Sequence, residues 1–152
     1  MTVEKSNKED SEILTVITKK SKAHWGYSDE QMNIWSELLT ISESYIETNS
    51  VYKFIVDDKI IGYYSYRIAG EDTVKLDNLF LLPDFIGKGF GKVMMHDFLM
   101  RLKNTTVKNI MLDSDPHAEN FYAKFGFVKT GQLETSIKDR YLPIMELKLP
   151  TG

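Results

Sequence analysis

The sequence predicts a mixed α/β fold of the α+β type, in which a sheet and several helices form layers around a core. Apolar residues recur with a helical period over roughly the first 50 positions, whereas from Val51 the period changes and the sequence is divided into strand-like segments. Three strand-like segments then follow one another without an intervening helix, which is not the regular βαβ order of a doubly wound sheet. The 152 residues are enough for a single domain spanning residues 1–152.

The composition excludes several kinds of site and partner. The chain has no cysteine, which excludes disulfides, thiolate metal sites and cysteine nucleophiles. Its formal net charge of −3 argues against a nucleic-acid partner, which usually requires a basic excess. No apolar stretch approaches the ~20 residues that cross a bilayer, and the N-terminal residues lack the apolar core of a signal peptide. We therefore expect a soluble, cytoplasmic protein with no membrane partner.

Two amphipathic helices are predicted before residue 50, after a short first strand. The first has an apolar face that includes Leu14 and Ile17, and it ends near residues 24–27. The second has an apolar stripe at helical spacing, formed by Met32, Trp35, Leu38 and Leu39. The first helix is predicted to be capped by Ser6, at capping-box spacing from Glu9, and Asp10 and Ser11 are alternative caps. The second is predicted to be capped by Ser28, at the same spacing from Gln31.

The remainder of the chain is rich in strands. The turn at residues 57–59 predicts an antiparallel hairpin. One further helix follows the glycines near residue 90, and another begins at Asp115-Pro116 and ends at Gly126. The predicted strands are 51–56, 60–68, 73–82, 107–112, about 127–137 and 140–149.

The segment after the third long strand carries the most functional information. It reads Gly87-Lys88-Gly89-Phe90-Gly91-Lys92 and leads directly into a helix. Glycines allow the backbone to approach a ligand closely, and a helix N-terminus presents unpaired N–H groups and a partial positive charge. Lys88 and Lys92 add positive charge. This pattern predicts a site for phosphate or pyrophosphate.

The spacing distinguishes this loop from two common phosphate-binding motifs. A dinucleotide-binding fingerprint requires G-x-G-x-x-G, whereas this loop has G-x-G-x-G. A P-loop requires a glycine at position 86 and a Ser or Thr after Lys92, but the chain has Ile86 and Val93 there.

The same residues resemble the acetyl-CoA signature of the GNAT superfamily of N-acetyltransferases, Q/R-x-x-G-x-G/A. Gly89 and Gly91 match its small positions, and Ile86 replaces the Gln or Arg. A second block, from Asp115 through Ala118, Phe121 and Tyr122 to Gly126-Phe127, resembles the family segment N-x-x-A-x-x-F-Y-x-x-x-G-F. The resemblance covers roughly residues 50–150 and implies a central, mixed, mostly antiparallel, twisted sheet of about six to seven strands with about four helices.

The resemblance implies direct acetyl transfer from acetyl-CoA, as co-substrate, to a primary amine in a ternary complex, without a metal. Tyr122 matches the usual general acid, with an aromatic of the core face as the alternative. Asp77 lies near the usual position of a carboxylate that acts as base, and a solvent-facing strand residue is an equal alternative. The backbone of three strand residues would pair with pantetheine and stabilise the oxyanion. The implied acetyl-CoA-binding residues are Leu79, Phe80, Leu81, Gly87, Lys88, Gly89, Phe90, Gly91, Lys92 and Asp115.

The acceptor is expected to be a small-molecule or peptide amine. In this family the first two helices overhang the acceptor groove, so His24 and Tyr27 are candidate substrate-binding residues, with packing at a helix joint as the alternative. Arg140, before the last strand, is a candidate for the other wall of the groove. Dimers are common in the family, and the sequence leaves both a monomer and a homodimer open. Two other functions stay open from the sequence, a non-catalytic acyl-CoA-binding regulatory module and, less favoured, a nucleotide-phosphate binder.

Overall fold

The computed structural model describes residues 1–135 and 140–150. Those residues contain seven strands and five α-helices. The strands are β1 Thr2–Lys5, β2 Ser50–Val56, β3 Lys59–Ile68, β4 Thr73–Leu81, β5 Asn109–Asp113, β6 Val128–Glu134 and β7 Tyr141–Lys148. The helices are α1 Ser11–Ala23, α2 Asp29–Ile34, α3 Glu43–Thr48, α4 Phe90–Leu102 and α5 Glu119–Ala123. Short 3-10 helices cover Lys8–Asp10, Pro83–Phe85 and Pro116–Ala118.

The strands form one sheet in the order β1-β2-β3-β4-β5-β7-β6. β4 and β5 pair in parallel, whereas the β1–β2, β2–β3, β5–β7 and β6–β7 pairs are antiparallel. A mixed, mostly antiparallel sheet with helices was expected, and this prediction is confirmed. The last two residues of the predicted strand 127–137 lie outside the described residues.

The chain divides into two compact units. The first contains Met1–Tyr66 and Asn78–Leu102; the second contains Arg67–Asp77 and the described residues from Lys103 onward. A buried apolar cluster in the first unit joins α1, α3, β2 and β3 through Leu14, Ile17, Ile41, Ile46, Val51 and Tyr63. Met94, Met95, Phe98 and Leu102 are the buried residues of α4. In the second unit the antiparallel pairs of β7 with β5 and β6 include the buried residues Ile110, Leu112 and Met145.

The predicted hairpin is present, and its turn shows how the sequence specifies it. Asp57 and Asp58 both have positive φ, 50° and 60°, as a two-residue type I′ turn requires. Lys59 belongs to β3 rather than to the turn. In β3, a Cβ atom placed on Gly62 would lie 2.7 Å from the Phe80 carbonyl oxygen, so only glycine allows this close approach of β4.

Ser6, the first predicted cap, does not cap the first helix, whereas Asp10, the predicted alternative, occupies the N-cap position of α1 without a side-chain cap bond. Ser6 instead donates its N–H to the Val51 carbonyl at 2.8 Å, which keeps it beside the sheet. The capping box forms one residue later, where Asn7 accepts from the Glu9 N–H and the Asp10 carboxylate accepts from the Asn7 N–H. It caps the 3-10 helix, and α1 then begins at Ser11.

The predicted second helix is also shorter than its apolar stripe suggested. Ser28 caps α2 as expected, but α2 ends at Ile34 and Leu38 is 81% exposed. The side chains of Ser11 and Thr15 bond to the backbone of Ile41, which fixes that residue outside a helix. A separate helix, α3, follows with Ser42 as its cap. The sequence reasoning did not predict α3.

Candidate active site

The glycine loop has the backbone conformation that its sequence requires. Gly87 and Gly89 have φ values of 83° and 86°, in the left-handed region that non-glycine residues avoid. A Cβ atom at either position would meet no atom within 4 Å, so backbone conformation rather than space demands glycine. α4 begins directly afterwards at Phe90, and its first N–H groups lack partners within the helix. An exposed loop with N–H groups at a helix N-terminus is suited to a phosphate group.

Two side chains of the loop region, Phe90 and Lys88, contact aromatic rings of the first unit. The Phe90 ring contacts the rings of Phe54 and Phe85, with centroids 5.7 and 5.9 Å apart. The Lys88 ammonium lies 5.8 Å from the centroid of Phe85. Gly91 lies inside α4, where its φ is not positive, so it differs from the two loop glycines. Phe90 therefore anchors the start of α4 while its backbone stays at the helix N-terminus.

The end of β4 precedes this loop. The parallel ladder pairs Thr73, Val74 and Lys75 with Asn109, Ile110 and Met111, and β4 itself continues to Leu81. Leu82 donates its N–H to the Ile61 carbonyl at 2.8 Å. Phe80 packs on Tyr63, with ring centroids 6.1 Å apart. Leu79, Phe80 and Leu81 thus lie on a strand segment that is held to β3 by the packing of Phe80 on Tyr63 and by the hydrogen bond from Leu82 to Ile61.

Tyr122 is buried in the second unit on α5. Its side chain is only 9% exposed and makes edge contacts with Phe121 and Phe127. Burial, and to a lesser extent the negative charge of Asp115, raise the pKa of Tyr122 above its ordinary value. Among the described residues, none bonds to its hydroxyl. The phenol is therefore protonated at neutral pH and has a proton to donate.

Asp115 combines a backbone cap with contacts to the side chains of His117 and Arg140. Its Oδ1 accepts the His117 N–H at 2.9 Å, which caps the 3-10 helix as the sequence predicted. The same oxygen lies 2.7 Å from the His117 Nδ1, and Oδ2 accepts from Arg140 at 3.2 Å. Arg140, a predicted acceptor-binding residue, is therefore an ion-pair partner of a predicted acetyl-CoA-binding residue.

The other predicted site residues have varied surroundings. Asp77 lies in the second unit and accepts from the Arg67 Nε at 3.2 Å. In the first unit, His24 is exposed beside Trp25. Tyr27 makes an edge contact with Trp35, and the Lys22 ammonium lies 5.5 and 5.4 Å from those two rings. The aromatic pair therefore already contacts a cation of the protein.

The two units divide the predicted site residues between them. The first contains the β4 end, the glycine loop, His24 and Tyr27; the second contains Asp77, Asp115, Tyr122 and Arg140. Asn78, a polar residue directly before the apolar residues 79–81 of β4, was not among the predicted site residues. Its polarity beside an apolar strand end was the signal that the sequence offered.

We predict that Asp115→Ala will destabilise the protein by about 1 kcal/mol more than Asp115→Asn. Both changes remove the charge that pairs with Arg140, but only asparagine retains an oxygen that can accept the His117 N–H. Urea unfolding of both variants measures the difference. Equal free energies of unfolding would show that the cap contributes nothing.

The domain family described as Acetyltransferase (GNAT) domain matches residues 25–147. The chain belongs to the GNAT acetyltransferase family. This confirms the resemblance to that family. Among curated GNAT relatives, the uncharacterized N-acetyltransferase ycf52 of Pyropia yezoensis is 26% identical over 91 residues, covering 60% of this chain and 52% of that protein. The [ribosomal protein bS18]-alanine N-acetyltransferase of Haemophilus influenzae is 31% identical over 91 residues, 60% of each chain.

Our GNAT chain thus spans about half the length of ycf52 and 60% of the Haemophilus protein. Its fold matches the solved PaiA N-acetyltransferase of Thermoplasma acidophilum, whose structure is a complex with coenzyme A. The TM-score is 0.78 at 22% identity, covering 98% of this chain and 100% of that one. In residues 1–135 and 140–150, no helix is long and apolar enough to span a membrane. The same residues contain no cluster of three or more acidic or histidine side chains arranged to hold a metal ion.

Proposed function

We propose that this GNAT chain transfers an acetyl group from acetyl-CoA to a primary amine, directly and in a ternary complex. The observation that carries the proposal is the loop with left-handed Gly87 and Gly89 at the N-terminus of α4, in a chain of this family. When bound, acetyl-CoA supplies a thioester whose C–S bond breaks as the C–N bond to the amine forms. We propose that the chain is also a cytoplasmic, single-domain protein.

The loop fits the phosphates of acetyl-CoA. Gly87, Lys88 and Gly89 are exposed, and a ligand can approach their backbone closely because no Cβ projects from either glycine. Successive N–H groups and the start of α4 provide donors, while Lys88 and Lys92 provide charge. The loop would bind these phosphates chiefly through backbone, so Ile86 in the place of the usual Gln or Arg removes only a side-chain contact.

Backbone N–H groups of Leu79, Phe80 and Leu81 would hold the pantetheine arm and donate to the thioester oxygen as negative charge develops there. The packing of Phe80 on Tyr63 and the close approach of Gly62 to Phe80 keep this backbone in place. Donors that are held in position before the reaction stabilise the developing charge without reorganisation. Asp115 would contact the pantetheine arm as well.

Tyr122 and Asp77 would handle the protons. The Tyr122 phenol holds a proton at neutral pH, and the departing sulfur takes that proton. Asp77, held by Arg67, accepts a proton from the attacking amine directly or through water. No acyl-enzyme on cysteine can form because the chain has no cysteine, which favours direct transfer. His24, Tyr27 and Arg140 would contact the acceptor.

Calorimetric titration with acetyl-CoA, beside a thiol-release assay with a panel of amines, tests the proposal. The panel contains n-butylamine, spermidine and a peptide that begins with alanine. Saturable binding together with amine-dependent release of CoA supports it. Binding without release for any amine would favour a regulatory module instead, and an absence of binding would overturn the proposal.

A further inference from the structure

A chain of hydrogen-bonded polar side chains runs through the first unit to the residue before Leu79. The Tyr45 hydroxyl of α3 lies 2.9 Å from the Ser65 Oγ of β3. The same oxygen accepts from the Asn78 Nδ2 of β4, also at 2.9 Å. Ser65 is fully buried, and the other two side chains are partly buried. We call these three residues the Tyr45–Ser65–Asn78 chain.

This chain fixes the orientation of the Asn78 amide. Because Nδ2 donates to Ser65, the carbonyl oxygen Oδ1 is directed away from that serine. No side chain or backbone group in the described part of the protein donates to Oδ1. Asn78 also retains some exposure to solvent. An oriented acceptor that has no protein donor is suited to receive a hydrogen bond from a ligand.

We propose that Asn78 Oδ1 accepts an N–H of the acceptor amine, and that Ser65 and Tyr45 are positioning residues for Asn78. The inference rests on the proposed function, because it takes the backbone of Leu79 to Leu81 as the thioester site. Asn78 directly precedes that backbone, so its side chain is carried by the same strand end. An uncharged amide oxygen accepts this bond without stabilising the ammonium form as strongly as a carboxylate would. The amine can therefore stay in its neutral, nucleophilic form.

This arrangement makes the site specific for primary over secondary amines. When a neutral primary amine attacks, nitrogen forms a bond to the acetyl carbon, sulfur leaves with the C–S electron pair, and nitrogen loses one proton to the base. The other N–H stays on the nitrogen and keeps its bond to Asn78. A secondary amine has a single N–H, which must be lost as the proton. Its reaction therefore leaves Asn78 Oδ1 without a donor.

The decisive experiment compares the native protein with Asn78→Leu, which preserves side-chain shape but removes the amide. Two pairs of primary and secondary amines serve as probes: n-butylamine with N-methylbutylamine, and a peptide that begins with alanine with one that begins with N-methylalanine. We expect kcat/KM for the primary amine to fall about tenfold while that for the secondary amine changes little. The Kd of acetyl-CoA, measured by calorimetry, should stay within about twofold, since Asn78 makes no predicted contact with it. An unchanged ratio of primary to secondary rates would overturn the proposal, because rejection would then be steric.

Ser65 variants separate positioning from simple loss of stability. Ser65→Ala should raise KM for the primary amine with little change in kcat, and Ser65→Thr, which restores the hydroxyl, should recover it. Ser21→Ala removes another buried serine hydroxyl and serves as the matched control. Equal effects of Ser21→Ala and Ser65→Ala would refute a positioning role.

If the native protein binds acetyl-CoA but acetylates none of these probes, the NMR resonance of the Asn78 side-chain amide tests whether Asn78 contacts the amine. This resonance should shift when n-butylamine is added to the coenzyme A complex at alkaline pH, and no shift would overturn the proposal. Failure to bind acetyl-CoA is a different outcome, because it removes the proposed function as well.

Discussion

Tyr122→Phe is expected to lower kcat by about 10²–10⁴-fold while the Kd of acetyl-CoA is unchanged. The substitution removes only the hydroxyl from a ring that packs between Phe121 and Phe127, so the α5 region should keep its packing. Single-turnover measurement of CoA release isolates the chemical step from product release. The unfolding midpoint should shift little, because the hydroxyl bonds to none of the described residues.

The pH profile provides a second check on Tyr122. Burial and the charge of Asp115 raise its pKa, so the phenol keeps its proton at higher pH than an exposed tyrosine, which ionises near 10. Ionisation of Tyr122 should therefore cause no loss of activity up to about pH 10. Tyr141→Phe, at a more exposed tyrosine, is the matched control and should leave kcat unchanged. Wild-type kcat in Tyr122→Phe would remove this residue from the mechanism.

Gly89→Ala is expected to weaken acetyl-CoA binding by about 5- to 30-fold. The reason is the φ of 86°, since a left-handed conformation costs a residue with a Cβ about 1–2 kcal/mol. The loop would relax toward negative φ and turn its N–H groups away from the phosphates. Calorimetry with acetyl-CoA and with CoA measures the loss, which should be similar for both because the acetyl group is remote from the loop.

Gly70→Ala provides the control for this change. Gly70 has no positive φ, and an added Cβ would make only ordinary contacts with Thr73, at 3.5 Å or more. Its affinity for acetyl-CoA should match the wild type. If Gly89→Ala also binds normally, the loop does not hold the phosphates.

Local patterns in the sequence specified most of the fold. The apolar and aromatic runs of β2 and β3, the Asp57-Asp58 turn and the Asp115 cap depend on neighbours within a few positions. The bonds that hold the backbone of Ile41 to the side chains of Ser11 and Thr15 instead join positions far apart in sequence. Helical spacing could not reveal those bonds, and it also overstated the length of α2, which ends at Ile34 although the apolar stripe runs on to Leu38 and Leu39.

In the candidate site, too, some features follow from local sequence and others depend on contacts between distant residues. The left-handed glycines follow directly from residue type, because only glycine adopts such φ values freely. The pairing of Arg140 with Asp115 and the bond from Asn78 to Ser65 join positions far apart in sequence. Nothing in the spacing of the sequence indicates such partners. The roles of Tyr122 and Asp77 stay predictions until their variants are measured.

The contact of Tyr27 with Trp35 has an optical consequence. The chain has only two tryptophans, Trp25 and Trp35, and both belong to the segment that links α1 to α3. Emission excited at the red edge of the absorption band, where tyrosine does not absorb, therefore originates entirely in this segment. Trp35 is buried against Tyr27 and near the Lys22 ammonium, whereas Trp25 is 39% exposed, so quenching by a soluble agent distinguishes the two. The unlabelled protein thus carries its own fluorophores in the region where an acceptor is expected to bind.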